Sequence, residues 1–452
     1  MDQIVRAQRD FFNTNATKET SFRIARLKEL KKLLKDNEEK LNEAIYNDFG
    51  KSAFDTYSSE LALLYIEIDE AIRKIRKWSA RRKVRTNLVN FPAKSYIIPE
   101  PLGVALVIGA WNYPYQLSLA PVIAAIAAGN TVVLKPSELP SSTSRVMAEM
   151  IHQCFDPRFF AVVGGGVGET QALLQLRFDK IFFTGSVSVA RIVYQAAARH
   201  LTPVTLELGG KSPVFILDDK HLAMYVKRLV WAKFLNAGQT CIAPDYILVH
   251  RSLKDKLIHQ VVEEIKKEHF SIENQNYVQI INERNVQRLS RLLEKDKIVF
   301  GGGFDTETRV FEPTVMDNVT FDDAVMREEI FGPVLPVLAF DSLDDAIHEV
   351  KQREKPLSCY VFTVDKKLRD KILSELSFGG GAVNDAVMHI ANNRLPFGGV
   401  GESGIGSYHG EYGFSAFSHY KSILEKPVWM ETGLKYFPHS AAKLKWMKRM
   451  FR

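Results

Sequence analysis

Val104-Ala105-Leu106-Val107-Ile108-Gly109-Ala110-Trp111-Asn112-Tyr113-Pro114 is the stretch that decides the fold. Five apolar residues without polar alternation read as a strand buried on both faces. A helical pattern follows over 116–128, a second apolar strand over 131–134 and another helix over 142–153. Residues 161–163, 180–183 and 204–206 continue as strands with helices between them. Short apolar strands alternating with helices call for a parallel sheet covered on both faces. Such sheets take ligands at the carboxyl ends of their strands, and Asn112 follows one such end.

Upstream, residues 2–48 read as two amphipathic helices, with Ile24, Leu27, Leu30, Leu33 and Leu34 at helical spacing. A third helix over 59–77 carries Leu61, Leu64, Ile68 and Ile72, and residues 84–98 read as extended chain bent at Pro92. Downstream, residues from about 210 to 390 repeat the alternation less regularly. Strands are expected at 213–217, 247–249, 298–300 and 360–362, and helices at 224–235, 253–268 and 343–353. This is a second α/β lobe. The chain is expected to cross between lobes at Gly209-Gly210 and again near Asn393, with a returning strand at 415–427.

A length of 452 residues allows two or three domains and a large core. The apolar fraction of 46% and charged fraction of 25% are those of an ordinary globular protein. A net charge of +7 is mild for this length; a nucleic-acid binder would show a concentrated basic stripe, for which the clearest candidate is the last twenty residues, and no nucleic-acid partner is expected. Three cysteines, Cys154, Cys241 and Cys359, are too few for a disulfide framework and point to a reducing compartment, the cytoplasm. The N-terminus starts acidic and no apolar leader segment follows. Residues 117–134 are the most apolar stretch, but Pro121, Gly129 and Asn130 divide it into helix, turn and strand rather than a membrane span. His409 and His419 lack partners at ligand spacing, so no metal site is expected and both read as satisfied structural histidines.

Two stretches carry chemistry. Phe234-Leu235-Asn236-Ala237-Gly238-Gln239-Thr240-Cys241 places a thiol behind a Gly and a polar run. Val204-Thr205-Leu206-Glu207-Leu208-Gly209-Gly210-Lys211 places a carboxylate at the end of an apolar strand. A thiol that attacks and a carboxylate that serves as base are the parts of a covalent mechanism. Both stretches resemble signature sequences of the aldehyde dehydrogenase superfamily. So do Ala110-Trp111-Asn112-Tyr113-Pro114, Leu134-Lys135-Pro136-Ser137-Glu138, Phe183-Thr184-Gly185-Ser186, Glu329-Ile330-Phe331-Gly332-Pro333 and Pro396-Phe397-Gly398-Gly399. Seven such motifs in the family's order span nearly the whole chain. The short N-terminus and Tyr408-His409-Gly410 resemble the class 3 branch, which includes fatty aldehyde dehydrogenases.

The resemblance implies an aldehyde dehydrogenase-like α/β fold of two Rossmann-like parallel-sheet lobes with a small oligomerisation hairpin. Residues 1–208 would form the NAD(P)-binding domain, with a hairpin at 81–99 and residues 392–414 returning to it. Residues 209–391 would form the catalytic domain, 415–431 an oligomerisation strand and 432–452 a basic amphipathic tail. Cys241 is the implied nucleophile, Asn112 an oxyanion donor with the Cys241 N–H, and Glu207 the base that activates water against the thioester. Cys154 and Cys359 lack that context and read as core. The presence of Glu207 argues against coenzyme-A-acylating relatives, which usually lack this carboxylate.

Lys135, Glu138, Gly185, Ser186, Ala190, Glu329 and Phe331 are the implied cofactor residues. A carboxylate at Glu138 bonds a ribose 2′-hydroxyl and favours NAD, although class 3 members often accept NADP as well. Lys-Pro-Ser-Glu also reads as a helix start capped by Ser137, and both roles can hold at once. Ala190 stands where the family usually has Gly, and its methyl is expected to tighten the approach to pyrophosphate. Gly399-Val400-Gly401-Glu402-Ser403-Gly404 fits the dinucleotide pattern without the strand and helix that pattern needs. Gly164-Gly165-Gly166 reads as a turn. Tyr113, Leu117 and Trp231 are candidate walls for an apolar substrate, or core.

The reaction implied is oxidation of medium- or long-chain aliphatic or aromatic aldehydes to acids by a homodimer. Alternatives are a narrow-substrate semialdehyde or carotenoid-aldehyde dehydrogenase, and a non-catalytic protein on the same fold. The tail carries Lys435, Lys443, Lys445, Lys448, Arg449 and Arg452 with Leu444, Trp446, Met447, Met450 and Phe451 between them. That pattern suits peripheral contact with anionic lipid, or a solvated or docked tail.

Overall fold

The computed structural model describes residues 1–450; Phe451 and Arg452 of the tail lie outside the described residues. A six-stranded sheet runs in the order Gly404–Ile405, Val204–Glu207, Lys180–Thr184, Val104–Ile108, Thr131–Lys135, Phe160–Val162. Five strands are parallel, and Gly404–Ile405 adds antiparallel to the free edge of Val204–Glu207. Alternate residues along each strand feed two separate cores. Ala105, Val107, Val132 and Leu134 join one with the helix Pro114–Ala128. Val104, Leu106, Ile108 and Val133 join the other with the helix Val187–Ala198. The period-two pleat thus explains why the middles of these strands are apolar on both sides: each buries both faces.

The helix Pro114–Ala128 is the most deeply placed, with 14 of its 15 residues buried. Pro114 starts it at a position where a missing N–H costs nothing. Glu60 accepts the free N–H groups of Tyr115 (2.8 Å) and Gln116 (3.2 Å). Glu60 is itself paired with Lys51 at 2.7 Å, both fully buried, so the cap is charge-balanced. Gly129 ends the helix at φ +98°, and the Asn130 side chain ties that end to Gly103 and Phe417.

A seven-stranded sheet runs in the order Ile298–Phe300, Thr314–Met316, Val334–Phe340, Tyr246–His250, Pro213–Ile216, Ser358–Phe362, Gly380–Val383. All neighbours are parallel except the first pair. The chain leaves the first sheet after Glu207, enters the second at Pro213 and rejoins the first at Gly404. Arg82–Val84, Lys94–Pro101 and Ser418–Glu425 form a third, antiparallel sheet.

Several expectations are corrected. The N-terminal 49 residues hold three helices, Asp2–Asn13, Thr20–Asp36 and Glu38–Phe49, because Thr14–Asn15 breaks the first run, with Asn15 left-handed. The helix expected at 59–77 begins as a π-helical turn, Tyr57–Leu61, before Ala62–Trp78. Ser137 caps no helix. The helix there starts at Ser141, and Asp48 from a distant helix accepts the N–H groups of Ser142 and Thr143 (3.0 and 2.8 Å). The expected strand at 415–427 is shorter, Ser418–Glu425, because Gly410–Ala416 is helical.

Candidate active site

The nucleophile stretch folds as a tight left-handed turn. Asn236, Ala237 and Gly238 have φ of +55°, +51° and +71°. A Cβ at Gly238 would fall 2.6 Å from the carbonyl carbon of Gly332, so only glycine fits there. Ala237 has no such freedom, and its left-handed backbone costs about 1–2 kcal/mol. The surroundings impose it. Gln239 is buried and donates to the carbonyls of Asn236 (3.1 Å) and Gln279 (3.1 Å), while its Oε1 accepts from Ile281 N (3.0 Å). Thr240 Oγ1 bonds the Tyr113 hydroxyl at 2.7 Å. Tyr360 OH donates to Ile242 O at 2.6 Å. Cys241 is therefore held from both sides.

Asn112 reaches this turn from the carboxyl end of Val104–Ile108. Its Nδ2 donates to Gln239 O at 3.0 Å, and its own carbonyl accepts from Asn236 Nδ2 at 3.0 Å. An amide nitrogen has two hydrogens, so one remains for a second acceptor. Glu207 ends its strand opposite Thr184 and Gly404. It is 2% exposed, and neither carboxylate oxygen has a hydrogen-bond partner. Burial alone pushes its carboxyl well above the ordinary range. The Cys241 thiol is also raised: burial comes first, then the charges of Glu329 and Glu207, opposed by the backbone N–H groups of Cys241 and Ile242. The resting site is thus a protonated thiol beside two buried carboxyl groups.

Glu329 enters from the second lobe. Burial and the neighbouring Asp245 raise its carboxyl to about 8, against the opposing Gly210 N–H, Lys211 and Arg288. A Cβ at Gly209 would fall 2.7 Å from the Glu329 carboxyl carbon, so this glycine admits the side chain. The loop carrying Glu329 is pinned by Lys211, which pairs with Asp245 and donates to Val325 O and Glu328 O at 2.9 Å each. Asp245 Oδ1 accepts from Ile330 N at 2.9 Å. Phe331 has φ +47° and its ring meets Trp111 edge-on at 5.3 Å.

The residues fit a dinucleotide cofactor. The helix Val187–Ala198 follows Thr184-Gly185-Ser186, and the exposed Ser186 gives it no side-chain cap, so its first-turn N–H groups remain for an anion. Lys135 is buried at the end of its strand, donates to Pro136 O at 2.7 Å and lies 3.8 Å from Glu138. Ala190 is 2% exposed and its methyl packs in the apolar core under the helix, so the expected narrowing does not face the helix's open end. Tyr113 and Leu117 share a small buried cluster with Ala110. Trp231 lies on the helix Leu222–Phe234 and is 44% exposed. Sequence reasoning missed Gln239, Thr240, Lys211 and Asp245. Thr240 and Gln239 flank the cysteine, and that adjacency was the available signal; the Lys211–Asp245 pair left none.

The model of the aldehyde dehydrogenase family matches residues 1–423. A 4,4'-diaponeurosporen-aldehyde dehydrogenase of Staphylococcus aureus (strain NCTC 8325 / PS 47) is 47% identical over 446 residues, covering 98% of this chain and 97% of that protein. Aldehyde dehydrogenase family 3 member A2 of Mus musculus is 43% identical over 454 residues, covering 99% and 93%. The solved substrate-bound state of Staphylococcus aureus AldH superposes with a TM-score of 0.97 at 46% identity, covering 100% of this chain and 99% of that one.

Proposed function

The chain belongs to the aldehyde dehydrogenase family, and from that premise we propose that Cys241, Glu207 and Asn112 carry its NAD(P)-dependent oxidation of aldehydes to carboxylic acids. The non-catalytic reading falls with the family. One observation supports the assignment: Asn112, with a spare amide hydrogen, bonds the turn that carries Cys241, and the unpartnered buried carboxyl of Glu207 acts on the Cys241 thiol.

The steps follow from these residues. Cys241 releases its proton to solvent, and the thiolate adds to the aldehyde carbon. The second Asn112 hydrogen and the Cys241 N–H hold the oxygen that becomes anionic. Lys135 and Glu138 would hold the adenosine ribose, Gly185 and Ser186 the pyrophosphate, and Glu329 and Phe331 the nicotinamide end; the bound cofactor supplies the hydride acceptor. Loss of hydride leaves a thioester on Cys241. Glu207 then takes a proton from water, which attacks the thioester and releases the acid.

Tyr113, Leu117 and Ala110 favour an apolar substrate, which supports medium- or long-chain or aromatic aldehydes. A second reading, a polyene aldehyde, is favoured by the Staphylococcus aureus relative named for one. A homodimer is supported by the exposed edge strand Ser418–Glu425 beside a hairpin that exposes Leu88 and Phe91, and a cytoplasmic setting by the three free cysteines. Peripheral membrane contact is supported by the helix Ala441–Met450, which exposes Leu444, Trp446 and Met450 among lysines. Among the described residues no helix is long and apolar enough to cross a membrane. Absorbance of NADH with decanal tests the core reading: Cys241→Ser should abolish it, and turnover at the parent's speed would overturn it.

A further inference from the structure

Two oppositely charged side chains stand in the core beside the nucleophile turn, and none of the reaction steps uses either. Gly50, left-handed at φ +71°, ends the helix Glu38–Phe49 and is followed by Lys51, which is 1% exposed. Glu60 is fully buried on the π-helical turn Tyr57–Leu61, a kind of turn that recurs at functional sites. Lys51 Nζ donates to Glu60 Oε1 at 2.7 Å. Glu60 Oε2 takes the N–H groups of Tyr115 (2.8 Å) and Gln116 (3.2 Å), so it holds the chain directly after Asn112 and Tyr113. The same ammonium lies 4.3 Å from the centre of the Tyr113 ring, within cation–π range. The Tyr113 hydroxyl bonds Thr240 Oγ1 at 2.7 Å, and Cys241 is next in the chain. A second arm leaves the same segment. Phe49 O accepts from Gln279 N at 2.9 Å, and Gln279 O accepts from Gln239 Nε2 at 3.1 Å. Residues 49 and 51 thus reach both of the residues that precede Cys241. A buried ion pair is often no more stable than apolar side chains of similar volume, so stability alone is a weak reason for this one.

We propose that Lys51 and Glu60 are positioning residues for the covalent step: they fix the Tyr113 ring and the start of the helix Pro114–Ala128, and through Thr240 and Asn112 they set the place of Cys241 relative to its oxyanion donor. Both act through other side chains, and neither exchanges a proton. Lys51 serves two acceptors at once, the Glu60 carboxylate and the π face of Tyr113. With the cation gone the ring can turn, and Thr240 loses a fixed partner. The turn then shifts between its Gln239 and Thr240 anchors, and Asn112, which bonds Gln239 O at 3.0 Å, is no longer held in register with the sulfur.

The inference rests on Cys241 as nucleophile, and the test separates the two. An NADH burst that survives in Cys241→Ser would defeat that reading; the other variants bear on the pair alone. The full chain is followed by stopped flow with NAD and decanal, alongside NADH binding by fluorescence titration and Tm. Lys51→Met combined with Glu60→Gln removes both charges together, so no ion is left buried alone, and the new amide oxygen can still take the Tyr115 N–H. The burst at saturating aldehyde should slow about tenfold, while half-saturation by aldehyde and the Kd for NADH stay within twofold. Thr240→Val should slow the burst by a similar factor on its own and cost less than twofold more when added to the neutral pair, because both break one chain of contacts. Should the neutral pair fail to fold, Glu60→Gln alone is put through the same comparison. A burst at the parent's rate in the folded variant would overturn the proposal, and so would losses that multiply when Thr240→Val is added. A fall in NADH binding that matches the fall in the burst would overturn it too, because it marks a general loosening of the chain.

Discussion

Replacing Asn112 by Ala removes the proposed oxyanion donor while leaving most of the fold in place. Its Nδ2 makes one internal hydrogen bond, to Gln239 O at 3.0 Å. That oxygen also accepts from Asn236 Nδ2 at 3.2 Å, so it is not orphaned when Asn112 is shortened. Loss of one such neutral bond costs about 1 kcal/mol of stability. The main-chain carbonyl of residue 112 keeps its Asn236 partner. Loss of a donor aimed at a developing oxyanion costs about 2.7–4 kcal/mol of barrier, or roughly 10²–10³ in rate. The chemistry should therefore lose far more than the fold. Stopped-flow measurement of the NADH burst at saturating aldehyde reads the first, and thermal unfolding reads the second. A burst within threefold of the parent's, in a variant with an unchanged Tm, would refute the donor role. A burst lost in parallel with a large fall in Tm would show that Asn112 is a strut for the nucleophile turn instead.

Gly209→Ala forces a Cβ to within 2.7 Å of the Glu329 carboxyl carbon, so Glu329 has to swing away. The side chain is flexible and Tm should change by only a few degrees, while the NADH burst slows about tenfold and Cys241 alkylates at the parent's rate. Glu329 is held up at about 8 against an ordinary 4.5, so between those values the folded chain keeps a proton that the unfolded chain has released. Stability should fall as pH rises across that window, and Glu329→Gln should flatten the fall in Tm between pH 5 and 8; an unchanged slope would contradict it. Deleting residues 436–452 should abolish cosedimentation with anionic vesicles and spare decanal oxidation, whereas unchanged cosedimentation would remove the membrane reading.

The parallel sheet around Val104–Ile108 was legible because its strands bury both faces and so show short apolar runs without alternation, with polar residues mostly at their ends. The strand Val334–Phe340, inside the second sheet, was not: Pro336 lies within it and argues against a strand with paired neighbours on both sides. Ser137 misled because a cap can come from elsewhere, here Asp48. At the site, Cys241 and Glu207 stood out as reactive groups in apolar surroundings. The clamp made by Gln239 joins residues 40 and 42 positions apart, a separation no local pattern reveals.

Gly404–Ile405 closes the edge of the strand that ends in Glu207. During synthesis, that edge stays open until nearly nine-tenths of the polypeptide has left the ribosome. Nascent or prematurely stopped chains would then already hold the thiol while lacking the wall beside the carboxyl that clears it.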